Sequence, residues 1–273
     1  MLKNRDSQTV ITLRINGQDV RVTNGTTVLE AARQVGIDIP TLCYLKTVGP
    51  YGACRLCVVE AKGPRLLPSI LPSCNLPVSE GLDVTTHSPV IQSARKIIVE
   101  LLAAGTVMTP PLEELARKFG VGISRFEMGK KDPCFLCGLC VRVCRDRIGA
   151  SALSFAGSIH NTQVVAERIH LDKHACIGCG TCANICPSQA IKLDDQGFER
   201  RISLYGEFIC SVELTGCEIC GALHTTHKLI ISILSNLDAD QKNGFRNICP
   251  ECARNFYAKA LTGQFPSDGK RFQ

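Results

Sequence analysis

The chain has 273 residues, a formal net charge of +6 and 17 cysteines, which leaves room for two or three small domains. A polar, charged start and the lack of a long apolar stretch argue against a secreted disulfide scaffold and against a membrane-spanning protein. Cysteines that are grouped, in a chain expected to remain in a reducing compartment, predict a cytoplasmic metal-binding protein.

The first part of the chain has the pattern of a small β-rich domain. Residues 9–15 and 19–23 alternate apolar and polar side chains on either side of Asn16-Gly17, which is a strong hairpin signal. Apolar residues at helical spacing then predict a helix over residues 28–35.

A stretch without cysteine follows at residues 86–130 and predicts a helical connector. Helical spacing of apolar residues predicts one helix over residues 88–104. Pro110 and Pro111 suit the start of a second helix that ends near Gly120.

The spacing C-x2-C-x2-C-x3-C occurs twice, 42 residues apart. Three closely spaced thiolates hold three irons of a [4Fe–4S] cubane, and in two-cluster ferredoxins the fourth cysteine of each run serves the other cluster. Structural zinc is the alternative, but zinc sites use cysteine pairs rather than runs of four. The first predicted ligand set is Cys134, Cys137, Cys140 and Cys186, and the second is Cys176, Cys179, Cys182 and Cys144.

Upstream, the spacing C-x10-C-x2-C-x16-C is a variant of the plant-type [2Fe–2S] pattern with a longer first gap. The surrounding segments are IPTLC at 39–43, GACRLCVVE at 52–60 and SCNLPV at 73–78, with CVRVC further on at 140–144. With these motifs, residues 9–195 resemble the iron–sulfur subunit of complex I. They also resemble the diaphorase iron–sulfur subunit of NAD-reducing hydrogenases.

The resemblance implies a β-grasp ferredoxin domain whose [2Fe–2S] ligands are Cys43, Cys54, Cys57 and Cys74. The family usually carries a further cubane, held by one His and three Cys, between its two-iron and dicluster domains. Residues 101–130 contain neither residue type, so we expect that cluster to be absent and the route between the remaining clusters to differ. His87 is left unassigned, since a single His is more often a surface or capping residue.

Two C-x2-C pairs near the C-terminus predict a structural zinc site of the zinc-ribbon kind. The paired residues are Cys217 with Cys220 and Cys249 with Cys252. A fourth iron–sulfur cluster is the alternative, in which Cys210 replaces one of the four. His224 and His227 are further candidate ligands, although a surface or packing role is favoured for both. A helix is predicted over residues 222–237.

These predictions define an α+β chain in four parts. They are a [2Fe–2S] ferredoxin-like domain at 1–85, the helical connector at 86–130, a bacterial-type 2×[4Fe–4S] domain at 131–197 and a zinc-ribbon-like domain at 198–273. An all-cysteine cluster or Zn(Cys)4 site carries about −2 of charge, so four such sites would bring the net charge to roughly −2. The basic excess therefore does not predict a nucleic-acid partner.

The predicted function is electron transfer without a catalytic site of its own, because no Gly-rich dinucleotide loop or acid–base group is recognisable. The expected partners are an NADH- or NADPH-oxidising flavoprotein and a catalytic subunit of the formate dehydrogenase or hydrogenase type. A redox-sensing regulatory or nucleic-acid-binding protein is the alternative from another class, and a free-standing electron carrier is a third reading.

Overall fold

The computed structural model describes residues 9–122, 125–126, 131–160 and 163–261, which fall into two compact units. The first unit lies within Met1–Asp172 and Thr181–Ile191, and the second within Lys173–Gly180 and Lys192–Gln273. The outer ends of the predicted domains, residues 1–8 and 262–273, lie outside the described residues. Within the described ranges, no helix is both long and apolar enough to cross a membrane.

A five-stranded mixed sheet opens the first unit, with strand order β2-β1-β5-β3-β4. Its strands are β1 (Val10–Ile15), β2 (Gln18–Thr23), β3 (Val58–Gly63), β4 (Leu66–Pro72) and β5 (Asp83–Thr85). The predicted hairpin is confirmed, because β1 pairs with β2 and both Asn16 and Gly17 have the positive φ of a type I′ turn. Strand β5 pairs in parallel with β1 and antiparallel with β3.

Helix α1 (Val28–Gln34) completes the core of this sheet. Thr27 caps the helix and forms a reciprocal capping box with Glu30, which satisfies two backbone N–H groups at the helix start. The buried apolar residues of α1 pack with those of the strands in one cluster that also contains Cys57 and Cys74. The hydrophobic core of the sheet therefore reaches directly to two of the predicted ligands.

Two helices follow the sheet, as predicted for the connector. Helix α2 (Pro89–Gly105) is capped by Ser88, and helix α3 (Pro110–Lys118) begins at the first of its two prolines. The two helices pack on each other. They contribute Val99 and Leu112 to a second cluster of buried hydrophobic residues. That second cluster also contains Cys43 and Cys54.

The rest of the first unit consists of short helices and a long hairpin. Helix α4 (Leu139–Val143) runs into a π-helical turn at Cys144–Ile148, and α5 (Thr181–Asn184) lies against α4. Between them, β6 (Leu153–His160) and β7 (Gln163–Leu171) form a two-stranded antiparallel sheet. This hairpin was not predicted from the sequence.

The second unit has a four-stranded sheet in the order β11-β10-β9-β8, followed by three helices. The elements are β8 (Ile191–Gln196), β9 (Glu199–Leu204), β10 (Glu207–Gly216), β11 (Leu223–Thr226), α6 (His227–Ser235), α7 (Ala239–Gly244) and α8 (Pro250–Leu261). The helix predicted over residues 222–237 is wrong in its first turn, because residues 223–226 pair with β10 and Thr226 then caps α6. The domain boundary predicted at 197/198 falls within the β8–β9 hairpin.

Candidate iron–sulfur and metal sites

The four cysteines predicted to bind [2Fe–2S] are all buried and lie on segments that the five-stranded sheet positions. Cys43 lies in the loop after α1, Cys54 and Cys57 precede β3, and Cys74 follows β4. The backbone N–H of Cys54 donates to Cys43 Sγ at 3.4 Å. Both the backbone N–H and the hydroxyl of buried Ser73 donate to the Cys57 carbonyl, which ties the last ligand segment to the others.

The electrostatics of these thiols place all four in one group. A hydrogen bond from the Cys54 thiol lowers the pKa of Cys43, and a hydrogen bond from the Cys74 thiol lowers the pKa of Cys57. The same hydrogen bonds, together with burial, raise the pKa values of Cys54 and Cys74. Thiolates are the metal-binding form of cysteine, so this group is suited to take up a metal cluster.

Two buried arginines lie beside this group, and they are functional candidates that were not identified from the sequence. Arg95 of α2, 1% exposed, donates to the Val58 carbonyl at 2.8 Å. Arg142 of α4, 6% exposed, donates to the Cys43 carbonyl at 2.9 Å. In the described part of the chain, the Nε atom of each is buried without a hydrogen-bond partner.

Buried positive charge is costly unless a negative group compensates it, and the acceptors of these two arginines are neutral carbonyls. A cluster held by four thiolates is anionic and would supply that compensation. Four buried sulfur donors with two buried cations therefore fit an iron–sulfur cluster. The sequence signal for Arg142 was its position inside the CVRVC motif at 140–144.

The first predicted cubane set lies in the first unit. Cys137 and Cys140 flank the start of α4, and Cys186 follows α5. Burial first, and then the nearby charges of Cys134 and Cys186, raise the pKa of Cys137 to about 12. Burial first, and then the nearby charges of Cys137, Cys134 and Cys186, also raise the pKa of Cys140. The structure therefore brings all four predicted ligands into mutual electrostatic contact.

A tight loop shapes this set. The backbone N–H of Leu136 donates to Cys134 Sγ at 3.3 Å, and Gly138 has a φ of +71°. A Cβ atom at Gly138 would lie 2.9 Å from Phe155 and 3.3 Å from Tyr51. Both the backbone conformation and the space available require glycine at this position.

The second predicted cubane set is divided between the units. Cys144 and Cys182 belong to the first unit, where Cys144 Sγ accepts a hydrogen bond from the Ala152 N–H at 3.3 Å. Cys176 and Cys179 belong to the second unit.

Residues 173–180, which carry Cys176 and Cys179, rest on other segments of the second unit. Lys228 of α6 donates to the carbonyls of His174 and Cys176, each at 3.3 Å. Arg200 of β9 donates to the Gly178 carbonyl at 3.0 Å and also pairs with Asp195. These contacts hold the loop through its backbone carbonyls.

The C-terminal cysteine pairs come together as predicted for a metal site. The sulfur atoms of Cys217, Cys220, Cys249 and Cys252 all lie within 4.8 Å of one another. The backbone N–H of Cys249 donates to Cys217 Sγ at 3.3 Å and, as the largest cause, lowers the pKa of Cys217 to about 6. Four mutually close sulfur atoms, one of them favoured as thiolate, form a suitable donor set for zinc or for a cluster.

Cys210 and the two histidines do not belong to this group of four. Cys210 lies on β10, where burial raises the pKa of its thiol, while the charge of Lys228 and a hydrogen bond donated by the Cys176 thiol lower it. Cys210 thus lies beside Cys176, and the group of four close sulfur atoms is complete without it. Neither His224 nor His227 is within the group of sulfur atoms.

Comparison with known families identifies the class of the chain. Residues 8–89 match a 2Fe-2S iron-sulfur cluster binding domain, and residues 169–192 match a 4Fe-4S binding domain. The chain is therefore an iron–sulfur protein that combines the two kinds of ferredoxin domain.

Its relatives include oxidoreductase and hydrogenase subunits. The chain is 30% identical over 77% of its length to NADPH-Fe(3+) oxidoreductase subunit alpha of Geobacter sulfurreducens. It has the same identity over the same share of its length to a subunit of the NADH-quinone oxidoreductase of Rhizobium meliloti. It is also 30% identical over 67% of its length to NADP-reducing hydrogenase subunit HndD of Solidesulfovibrio fructosivorans, covering 36% of that protein.

These relatives confirm the resemblance inferred from the motifs, and the chain spans 27% of the length of the first two. Among solved structures, a chain of an NAD+-reducing [NiFe]-hydrogenase in its H2-reduced state is 34% identical, with a TM-score of 0.48. That match covers 54% of this chain and 71% of the hydrogenase chain.

Proposed function

We propose that this protein is an electron-transfer subunit that holds one [2Fe–2S] and two [4Fe–4S] clusters. The proposed ligands are the three cysteine sets predicted from the sequence. The observation that carries the proposal is the second cluster of buried hydrophobic residues. In it, Cys43 and Cys54 of the two-iron set pack together with Cys137 of the first cubane set. Two redox sites whose ligands belong to the same buried hydrophobic core lie close enough together to be suited to electron exchange.

In this proposal the clusters supply one-electron chemistry, and the surrounding residues of the chain adjust the reduction potentials of the clusters. The four two-iron ligands are buried away from water, as are Cys137, Cys140 and Cys144 of the cubane sets. Backbone N–H groups donate to Cys43 Sγ and Cys134 Sγ. Burial, hydrogen bonds to sulfur and nearby charge are the main protein contributions to cluster potential.

The proposed partners are a flavoprotein that oxidises NADH or NADPH and a catalytic subunit of the formate dehydrogenase or hydrogenase type. The names of the relatives, which include an NADPH-linked oxidoreductase and an NADP-reducing hydrogenase, support the link to a nicotinamide cofactor and to a hydrogenase. We place the protein in the cytoplasm because its 17 thiols need a reducing compartment.

The proposed layout keeps the predicted ranges. Residues 1–85 form a β-grasp ferredoxin domain, 86–130 a helical connector, 131–197 the dicluster domain and 198–273 a zinc-ribbon-like domain. Zinc is proposed at Cys217, Cys220, Cys249 and Cys252, since two C-x2-C pairs with converging sulfur atoms are typical of structural zinc.

Metal and sulfide analysis of anaerobically purified protein tests the proposal, combined with EPR during stepwise reduction. The expected result is about ten iron atoms and one zinc per chain, with one [2Fe–2S] signal and two [4Fe–4S] signals. Zinc in place of iron under strict exclusion of oxygen would overturn the electron-transfer function.

A further inference from the structure

Arg142 joins the segment that carries Cys43 to the helix that carries Cys140. It lies on α4, two residues after Cys140 and two before Cys144, and its side chain is almost completely buried. One guanidinium nitrogen donates to the Cys43 carbonyl at 2.9 Å, and the other to the Gly49 carbonyl at 2.8 Å.

The same guanidinium organises the remainder of residues 43–51, hereafter the Cys43 loop. It donates to the Val48 carbonyl at 3.4 Å and lies 5.1 Å from the centre of the Tyr51 ring. Tyr51 is stacked on Phe155, with ring centres 6.3 Å apart. Three carbonyls and one ring of the Cys43 loop therefore converge on a single side chain of α4.

Only arginine can make this set of contacts, because its planar fork offers several donors in fixed directions. A lysine would keep the charge but act as a single point donor. The guanidinium also brings a permanent positive charge, and its acceptors in the Cys43 loop are neutral.

We propose that Arg142 is a positioning residue that seats the Cys43 loop on α4 and raises the reduction potential of the two-iron site through its buried charge. This inference rests on the proposed function, since it takes Cys43 as a two-iron ligand and Cys140 as a first-cubane ligand. A reduced cluster is more negative than an oxidised one, so a nearby cation in a dry environment favours the reduced state.

The charge distinguishes this role from a purely structural one. Loss of the fastening alone would shift the potential equally in R142Q and R142K, because neither side chain keeps the fork of donors, whereas a charge effect leaves R142K closer to the wild type. The potential is therefore the deciding measurement, and it requires no turnover by a partner enzyme.

The test compares R142Q, R142K and the control R145Q by redox titration of the intact chain, with EPR of the [2Fe–2S] signal. Arg145 lies three residues further along the chain, is exposed and pairs with Asp146. We expect R142Q to lower the two-iron midpoint potential, R142K to give an intermediate value and R145Q to match the wild type.

An unchanged potential in R142Q, or an equal shift in R145Q, would overturn the inference. If R142Q assembles no two-iron cluster, the neutral variant R142M takes its place: a potential below that of R142K supports the role, and a potential equal to that of R142K overturns it. Failure of the proposed function is distinguishable, because it would appear in the wild-type protein as absent iron–sulfur signals.

Discussion

Gly138 combines two constraints at a single residue, a left-handed backbone and close contact with aromatic side chains. Its φ is +71°, and a Cβ atom would lie 2.9 Å from Phe155. Gly149 provides a matched comparison, because its φ is +79° and nothing lies within 4 Å of its Cβ position. Variants at the two positions therefore share the cost of the left-handed backbone, and they differ in packing and in closeness to the proposed cubane ligands.

We expect G138A to be less stable than G149A by about 1–3 kcal/mol, the usual cost of overpacking a filled site. We also expect its iron content to fall by up to about four atoms per chain, since the first cubane ligands flank this turn. Chemical denaturation and iron analysis check both. Equal stability and equal iron in the two variants would contradict the packing argument.

Among the elements, Thr226 connects the strand β11, the helix α6 and residues 173–180. Its side chain is fully buried, its hydroxyl donates to the Ile177 carbonyl, and the same oxygen accepts from the Leu229 N–H at the start of α6. One hydroxyl thus satisfies a helix end and fixes the loop that carries Cys176.

We expect T226V to lower the free energy of unfolding by about 1–3 kcal/mol, because valine keeps the shape but leaves both backbone groups without their partner. T225V, on the same strand and only partly buried, is the control and should change little. Denaturant unfolding of both variants provides the measurement. A T226V protein as stable as T225V would show that the hydroxyl contributes no net stability.

Local patterns predicted the elements that depend on local chemistry. The Asn16-Gly17 hairpin and α1–α3 follow from turn residues, caps and helical periodicity, and the structure has them all. The strand–helix break at Thr226 was missed because the apolar pattern of α6 extends back over a segment that pairs with β10. Pairing between distant segments carries little signal in one sequence, which also explains the unpredicted β6–β7 hairpin.

Local sequence patterns also predicted most of the cysteine groups. The cubane and C-terminal cysteines occur at short, repeated spacing, so these motifs indicate the groups before any fold is known, whereas the two-iron ligands were implied by the family resemblance. The contacts of Arg95 and Arg142 were not predictable, because each depends on carbonyls far away in sequence. The position of Cys210 beside Cys176 likewise requires the register of β10.

At the scale of the whole molecule, the C-terminal group of four sulfur atoms uses none of the cysteines in the three proposed cluster sets. We expect C249S to lose zinc while iron stays at about ten atoms per chain. Helix α8 begins next to Cys249, so metal loss should also expose the C-terminal segment to proteolysis.

Metal analysis and limited proteolysis of wild type and C249S are the measurements. A fall of about four iron atoms in C249S would contradict a zinc site and indicate a cluster at the C-terminus. Substituting Cys210, which lies outside the group of four, is the matched control for zinc content.

The hydrogen bond from Thr226 to Ile177 joins residues 49 positions apart, and it has a consequence for biosynthesis. As the chain is synthesised, residues 173–180 leave the ribosome well before the strands and helix that support their backbone. At roughly 5–20 residues per second, the loop waits several seconds without that support. Iron delivery to Cys176 and Cys179 is therefore expected to follow translation of α6, which makes cluster insertion there a late event in the maturation of the protein.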